Sequence, residues 1–186
     1  TQRYGTLIAD FVDDLSNWYV RRSRRRFWEG DAGALQTLHD TLNVVTRLMA
    51  PLAPFITERV WQDLVVATNS DAPESVHLAS WPVADEAKID AAAEGDIEWV
   101  KALMLGIRQI RGEMNISMAK RIDIIVQNAN AEDLRRLADF EPLLNKLAKL
   151  ESVRVLAAGE EAPMSATALV GEMQVLVPMA GLIDKD

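Results

Sequence analysis

Phe11-Val12-Asp13-Asp14-Leu15-Ser16-Asn17-Trp18-Tyr19-Val20-Arg21-Arg22-Ser23-Arg24-Arg25-Arg26-Phe27-Trp28 is the stretch that decides how this chain is read. Phe11, Leu15 and Trp18 stand at i, i+4 and i+7, the apolar stripe of an α-helix. The same stripe runs on into Arg22 and Arg25, where a buried helix face would carry leucine. Asp10, Asp14, Asn17, Arg21 and Arg24 line the opposite, polar face. A buried guanidinium has to be paired, because its desolvation is otherwise costly. Two readings follow. In one, Arg22 and Arg25 meet Asp13, Asp14 or Glu29 and cement a helical bundle. In the other, the cluster faces nucleic-acid phosphate, with Trp18, Tyr19 and Trp28 supplying planar surface. The residues alone leave both open, since charge runs on helices are commonly solvated or paired faces.

Working outward, 186 residues suffice for one large or two small domains with a real core. A composition 49% hydrophobic and 26% charged is that of an ordinary globular protein. The net charge of −8 argues against indiscriminate coating of nucleic acid. Within residues 1–30, however, six arginines face four acids, and phosphate contact depends on where charge is placed. The absence of cysteine excludes disulfides and thiolate metal sites and fits a reducing compartment. His39 and His77 stand alone and make no metal site; both read as surface or interface residues. No run approaches ~20 apolar residues, so no membrane contact is expected.

The first helix is expected to end near Gly30, with Asp31 capping a second over residues 32–50. Pro51 and Pro54 stop that helix. A third is expected over residues 55–66, with Ile56, Val60, Trp61 and Leu64 inward and the apolar residues of the proline corner in the core. Residues 67–96 read as a long broken connection. A fourth helix is expected over residues 96–114, burying Ile97, Val100, Leu103, Met104, Ile107 and Ile110, with Lys101, Arg108, Arg111 and Asn115 on its polar flank. The period then changes. Residues 121–127 read as a strand, 130–140 as a helix capped by Asn130, and 142–150 as a further helix led by Pro142. Residues 152–156 form a second strand, and 166–170 with 173–177 a hairpin turning at Gly171-Glu172. The fold class is therefore mainly α: a helical bundle over 1–118, then a small α/β module over 119–186.

The run Asp13-Asp14-Leu15-Ser16-Asn17-Trp18-Tyr19 followed by Arg21-Arg22-Ser23-Arg24-Arg25-Arg26-Phe27-Trp28 resembles the anticodon-binding helical domain of isoleucyl-tRNA synthetases. Residues 48–61 and 76–82 are similar to class I synthetases of the isoleucine, valine and leucine group. Glu98-Trp99-Val100-Lys101, Ile110-Arg111-Gly112-Glu113-Met114-Asn115-Ile116-Ser117, residues 149–153 and residues 177–184 resemble valyl-tRNA synthetases instead. The isoleucine likeness covers about residues 4–82 and the valine likeness about 94–184.

The resemblance implies a segment that grips the anticodon stem and loop of an isoleucine or valine tRNA, working with the catalytic and editing domains of a parent synthetase in the cytoplasm. Arg21, Arg24 and Arg25 are the expected backbone contacts, Arg108 and Arg111 the second choices, and Trp28 the stacking surface, with Trp18 in the core. No catalytic residue, metal ligand or cofactor is expected in this chain. The His-x-Gly-His and Lys-Met-Ser-Lys-Ser motifs of class I catalysis are missing, and Ser117-Met118-Ala119-Lys120 is an incomplete lookalike. ATP and magnesium belong, by the resemblance, to the full-length enzyme. The rival from another class is a structural or protein-interaction module whose arginines are used up in internal ion pairs.

Overall fold

Aspartate and asparagine set three of the described helix starts. In the computed structural model, which describes residues 2–157 and 160–179, Asp31 accepts from the Ala34 N–H and opens α3 (Ala32–Met49). Asp90 accepts from Ala92 and Ala93 and opens α5 (Ala91–Glu113). Asn130 and Asp133 form a reciprocal capping box on α6 (Ala131–Asp139). The chain divides into two compact units, Thr1–Glu86 and Ala87–Asp186.

The first unit is helical. A single long run comprises α1 (Gln2–Asp14), a π-helical turn (Leu15–Val20) and α2 (Arg21–Trp28). It is followed by α3 and by α4 (Pro54–Trp61), which passes into a second π-helical turn (Gln62–Val66). The core sits at the far end of α3, where Ala50, Trp61, Val65 and Val76 cluster. Trp61 is 3% exposed and its indole N–H donates to the Pro73 carbonyl at 2.9 Å. Glu58 fastens the connection by accepting from Ser75 Oγ and the Val76 N–H. Two expectations fail here. Leu52, Phe55 and Ile56, expected in the core, are exposed, Phe55 to 91%. The inward face of α4 is instead set by Thr57, Trp61 and Val65 at four-residue spacing, which turns Phe55 and Ile56 outward. Likewise α1 buries no residue, and Phe11 is half exposed.

The second unit is α/β. α5 starts at Ala91, five residues before the expected position, because Asp90 caps a run of alanines with high helix propensity. Strand β1 (Ile122–Gln127) is followed by α6, α7 (Glu141–Ala148) and β2 (Leu150–Val155), a right-sized crossover that places β2 parallel to β1. Strands β3 (Ser165–Val170) and β4 (Met173–Pro178) form a hairpin turning at Gly171, whose φ of 61° suits glycine. The sheet order is β2-β1-β4-β3, with β4 antiparallel to both neighbours. Residues 180–184 of the last valine-type motif lie outside the described residues.

On the sequence alone the helix ending near Met114 falls in the bundle, with the boundary after residue 118. Its apolar face (Val100, Leu103, Met104, Ile107 and Ile110) is instead buried on β3, β4 and α7, so the helix belongs to the α/β unit. Contact is closest at Gly106, where an added Cβ would lie 2.9 Å from the Ala168 Cβ. Gly106→Val is therefore expected to lower the unfolding free energy by about 2 kcal/mol or more through overpacking, read from urea denaturation. The same change at exposed Gly112 meets nothing and should leave stability unchanged or slightly raised, because valine has the better helix propensity.

Candidate nucleic-acid interface

The π-helical turn determines which arginines reach solvent. Such a turn closes i→i+5 rather than i→i+4 bonds and so absorbs about one extra residue, shifting the following helix by about 100°. The expected stripe of Leu15, Trp18, Arg22 and Arg25 is displaced by one position. Ser23, 4% exposed, takes the centre of the inward face of α2. Tyr19 and Phe27 flank it, with ring centroids 6.3 Å apart, and the Tyr19 hydroxyl donates to the Ala34 carbonyl at 3.2 Å. Arg22 is half-buried, with its guanidinium 4.5 Å from the centre of the Trp18 ring. Trp18, expected in the core, is only half-buried, and Tyr19 is turned inward rather than offered as planar surface.

Arg21, Arg24, Arg25 and Trp28 consequently stand at i, i+3, i+4 and i+7 on the outer face of α2, and all four are exposed. Trp28 is 86% exposed. Among the described residues neither Arg21 nor Arg24 has a carboxylate partner. Arg25 meets Glu29 at 2.7 Å, one of the carboxylates foreseen for it, with its side chain still 79% exposed. An exposed i,i+4 pair of this kind contributes only about 0.3–0.5 kcal/mol, so it does not withdraw Arg25 from a phosphate. The fifth arginine is used locally. Arg26 Nε donates to Asp31 at 2.9 Å, tying the end of α2 to the cap of α3. That hydrogen bond, followed by the one from the Ala34 N–H, holds the Asp31 carboxyl below the ordinary aspartate range.

The two second-choice arginines separate. Arg108 is exposed on α5 and lines an open depression with Asn115, Ser117 and Met118. Arg111 is only 2% exposed, so the expectation that it touches RNA is wrong. Its Nη1 donates to the Ser117 carbonyl at 2.7 Å, and its Nη2 donates to those of Lys120 and Ala148 at 2.9 and 2.8 Å. It clamps the loop after α5 and the end of α7, and burial lowers its pKa from the ordinary arginine value. Sequence spacing put Arg111 on a polar flank; Arg111 is one residue past Ile110, which the sheet covers, and that signal alone does not separate a clamp from a surface charge.

His77 is exposed, and His39 is half-buried with Nε2 3.3 Å from the Leu64 carbonyl. Among the described residues no group of three His, Cys, Asp or Glu side chains is placed to hold a metal. No described helix is long and apolar enough to cross a membrane.

Residues 3–126 match the family described as the anticodon-binding domain of tRNA ligase. The isoleucine–tRNA ligase of Cutibacterium acnes is 63% identical over 113 residues, covering 61% of this chain and 10% of that protein. That of Streptomyces avermitilis is 55% identical over 137 residues, covering 73% of this chain and 13% of that protein. That of Streptomyces coelicolor is 60% identical over 116 residues, covering 62% of this chain and 11% of that protein. The chain thus spans about a tenth of the length of the curated relatives it matches. An alignment of 137 residues does not fit within residues 4–82, so the isoleucine-type likeness extends beyond that segment.

Two outcomes follow from the geometry. Arg111→Ala should lower stability by about 3 kcal/mol in urea denaturation, because three carbonyls, that of Ala148 buried, lose their donor, while Arg108→Ala should leave it within about 0.5 kcal/mol. Because the folded pKa of Asp31 is depressed, its contribution to stability is fully present above the ordinary aspartate pKa and is lost only as pH falls through the lower, folded value. A carboxyl-detected NMR titration should place the Asp31 midpoint below the ordinary range, and Arg26→Ala should move it upward.

Proposed function

This chain belongs to the anticodon-binding domain family of tRNA ligases, and from that membership we infer that the outer face of α2 holds the backbone of an anticodon stem and loop. The observation that carries the reading is the alignment of Arg21, Arg24, Arg25 and Trp28 on one exposed face. Guanidinium groups pair with phosphate in bidentate, charge-assisted contacts, which fix position without reading sequence. Trp28 offers a flat surface on which an unstacked base can lie. Arg108 is a further backbone contact in the second unit.

The tRNA is taken to be an isoleucine acceptor, on the strength of the isoleucine–tRNA ligases that share 55–63% identity with this chain; valine is the alternative suggested by the motifs around residues 98–117. The chain acts as a binding module, and the chemistry with ATP and magnesium lies in the remaining nine tenths of a ligase of that kind, in the cytoplasm, together with the catalytic and editing domains. The rival reading, an interaction module with its arginines consumed internally, draws support from the Arg25–Glu29 and Arg26–Asp31 pairs. It leaves Arg21, Arg24 and the exposed Trp28 without a role.

Arg21→Ala, Arg24→Ala and Arg25→Ala together should weaken binding of a stem-loop transcript at least tenfold and make the plot of log affinity against log salt shallower by about 2 units. The melting temperature should stay within about 2 °C, since none of the three is buried. Loss of folding with no effect on affinity would support the rival reading.

A further inference from the structure

β2 stands at one edge of the sheet. Leu156 donates its N–H to the Val126 carbonyl at 2.9 Å. Alternation therefore turns the backbone groups of Ser152 and Arg154 toward β1 and those of Val153 and Val155 outward. Among the described residues these outward N–H and C=O groups have no partner. Such an edge is normally blunted by charge, proline or cover, because it can pair with another strand. Here the charges of β2 are met within the unit itself: Arg121 lies 3.8 Å from Glu151, and Arg154 donates to Glu160. At the opposite edge α5 lies directly on β3. Beside β2 the helical layer instead leaves a groove of about 280 Å³, lined by Leu134, Leu137 and Ala138 of α6 and by Val153 and Val155. Leu134 is 42% exposed and Val155 46%.

The sequence of β2 suits a copy of itself. A twofold axis through Val153, perpendicular to the sheet, would set two β2 strands antiparallel and continue one sheet across both copies. In that register Val153 opposes its counterpart and Val155 opposes Glu151, so the outward groups of each valine meet a strand. Side chains keep their faces. Val153 and Val155 stay on the groove side, and Arg154 comes opposite Ser152, whose hydroxyl donates to Asp123. Arg154 of each copy thereby reaches toward the Asp123 carboxylate of the other, an opposite-charge contact made twice. An axis at Arg154 would set two arginines face to face, and one at Ser152 would carry Val155 past the end of the opposing strand. We propose that two copies of this chain associate through β2, joining their four-stranded sheets and filling each groove with the other copy's strand. Six residues of strand and one groove fall below the ~1,200 Å² of a standard interface, so the association is weak. The inference does not depend on RNA binding.

Sedimentation equilibrium of the 186-residue chain reads the association. A monomer–dimer equilibrium, half associated at roughly 100 μM, is expected for an interface of this size. Amide hydrogen exchange followed by NMR locates it. On concentrating the sample, the N–H groups of Val153 and Val155 should exchange about tenfold more slowly, while those of Arg154 and Leu156, already bonded to β1, keep their rates. Val155→Lys, at an exposed position, should weaken association about tenfold or more. Val155→Pro removes an outward N–H without touching a bond to β1, and should give the same loss if the lysine variant folds poorly. A chain that stays monomeric throughout would overturn the proposal and leave the groove to a strand from a different protein. A dimer that survives both changes, with Val153 and Val155 exchanging freely, would overturn it too.

Discussion

The angular position of α2 depends on a turn of wider helix. Between Leu15 and Val20 the backbone takes up about one residue more than an α-helix would, and every side chain from Arg21 onward is rotated accordingly. Without that turn Arg22 would occupy the inward position beneath α3 and Arg25 would lie beside it, two guanidinium groups in need of carboxylates. With it, Ser23 goes inward, Arg22 rests on the Trp18 ring, Arg26 is bound to the cap of α3, and Arg21, Arg24, Arg25 and Trp28 face solvent. A run of five arginines in six positions is thereby sorted into two that pack or pair within the fold and three left on the exposed face. Wider turns of this kind are rare and frequently mark functional sites.

The two units are built on different principles. The first has a small core at one end, centred on Trp61, and carries exposed apolar residues such as Leu7, Phe11, Leu52 and Phe55 along the rest. The second buries a continuous face of α5 on the mixed sheet and fixes its loop with Arg111. A charge buried among carbonyl dipoles is costly to disturb, and its hydrogen bonds tie Ser117 and Lys120 to Ala148. Arg108 and Arg111, three residues apart on one helix, therefore differ sharply: the first is exposed and the second buried.

Much of this was legible in the residues. Caps at Asp31 and Asn130, the proline corner, the β-branched strand at residues 122–127 and the glycine turn at Gly171 each follow from local chemistry, and the observed elements agree within a few residues. What was not legible has a common cause. Helical periodicity assumes a constant 100° per residue, so it misplaced Arg22 and Arg25 once the turn widened. Periodicity also says that α5 has an apolar face without saying what covers it, so the helix was assigned to its sequence neighbours rather than to the later sheet.

The sorting of the arginines is most directly tested by NMR observation of arginine Nε–H resonances during titration with a stem-loop transcript. Resonances of Arg21, Arg24 and Arg25 should move together, saturate, and return as salt is raised, while that of buried Arg111 stays fixed. Movement confined to other arginines, with those three unaffected at saturating RNA, would contradict the account.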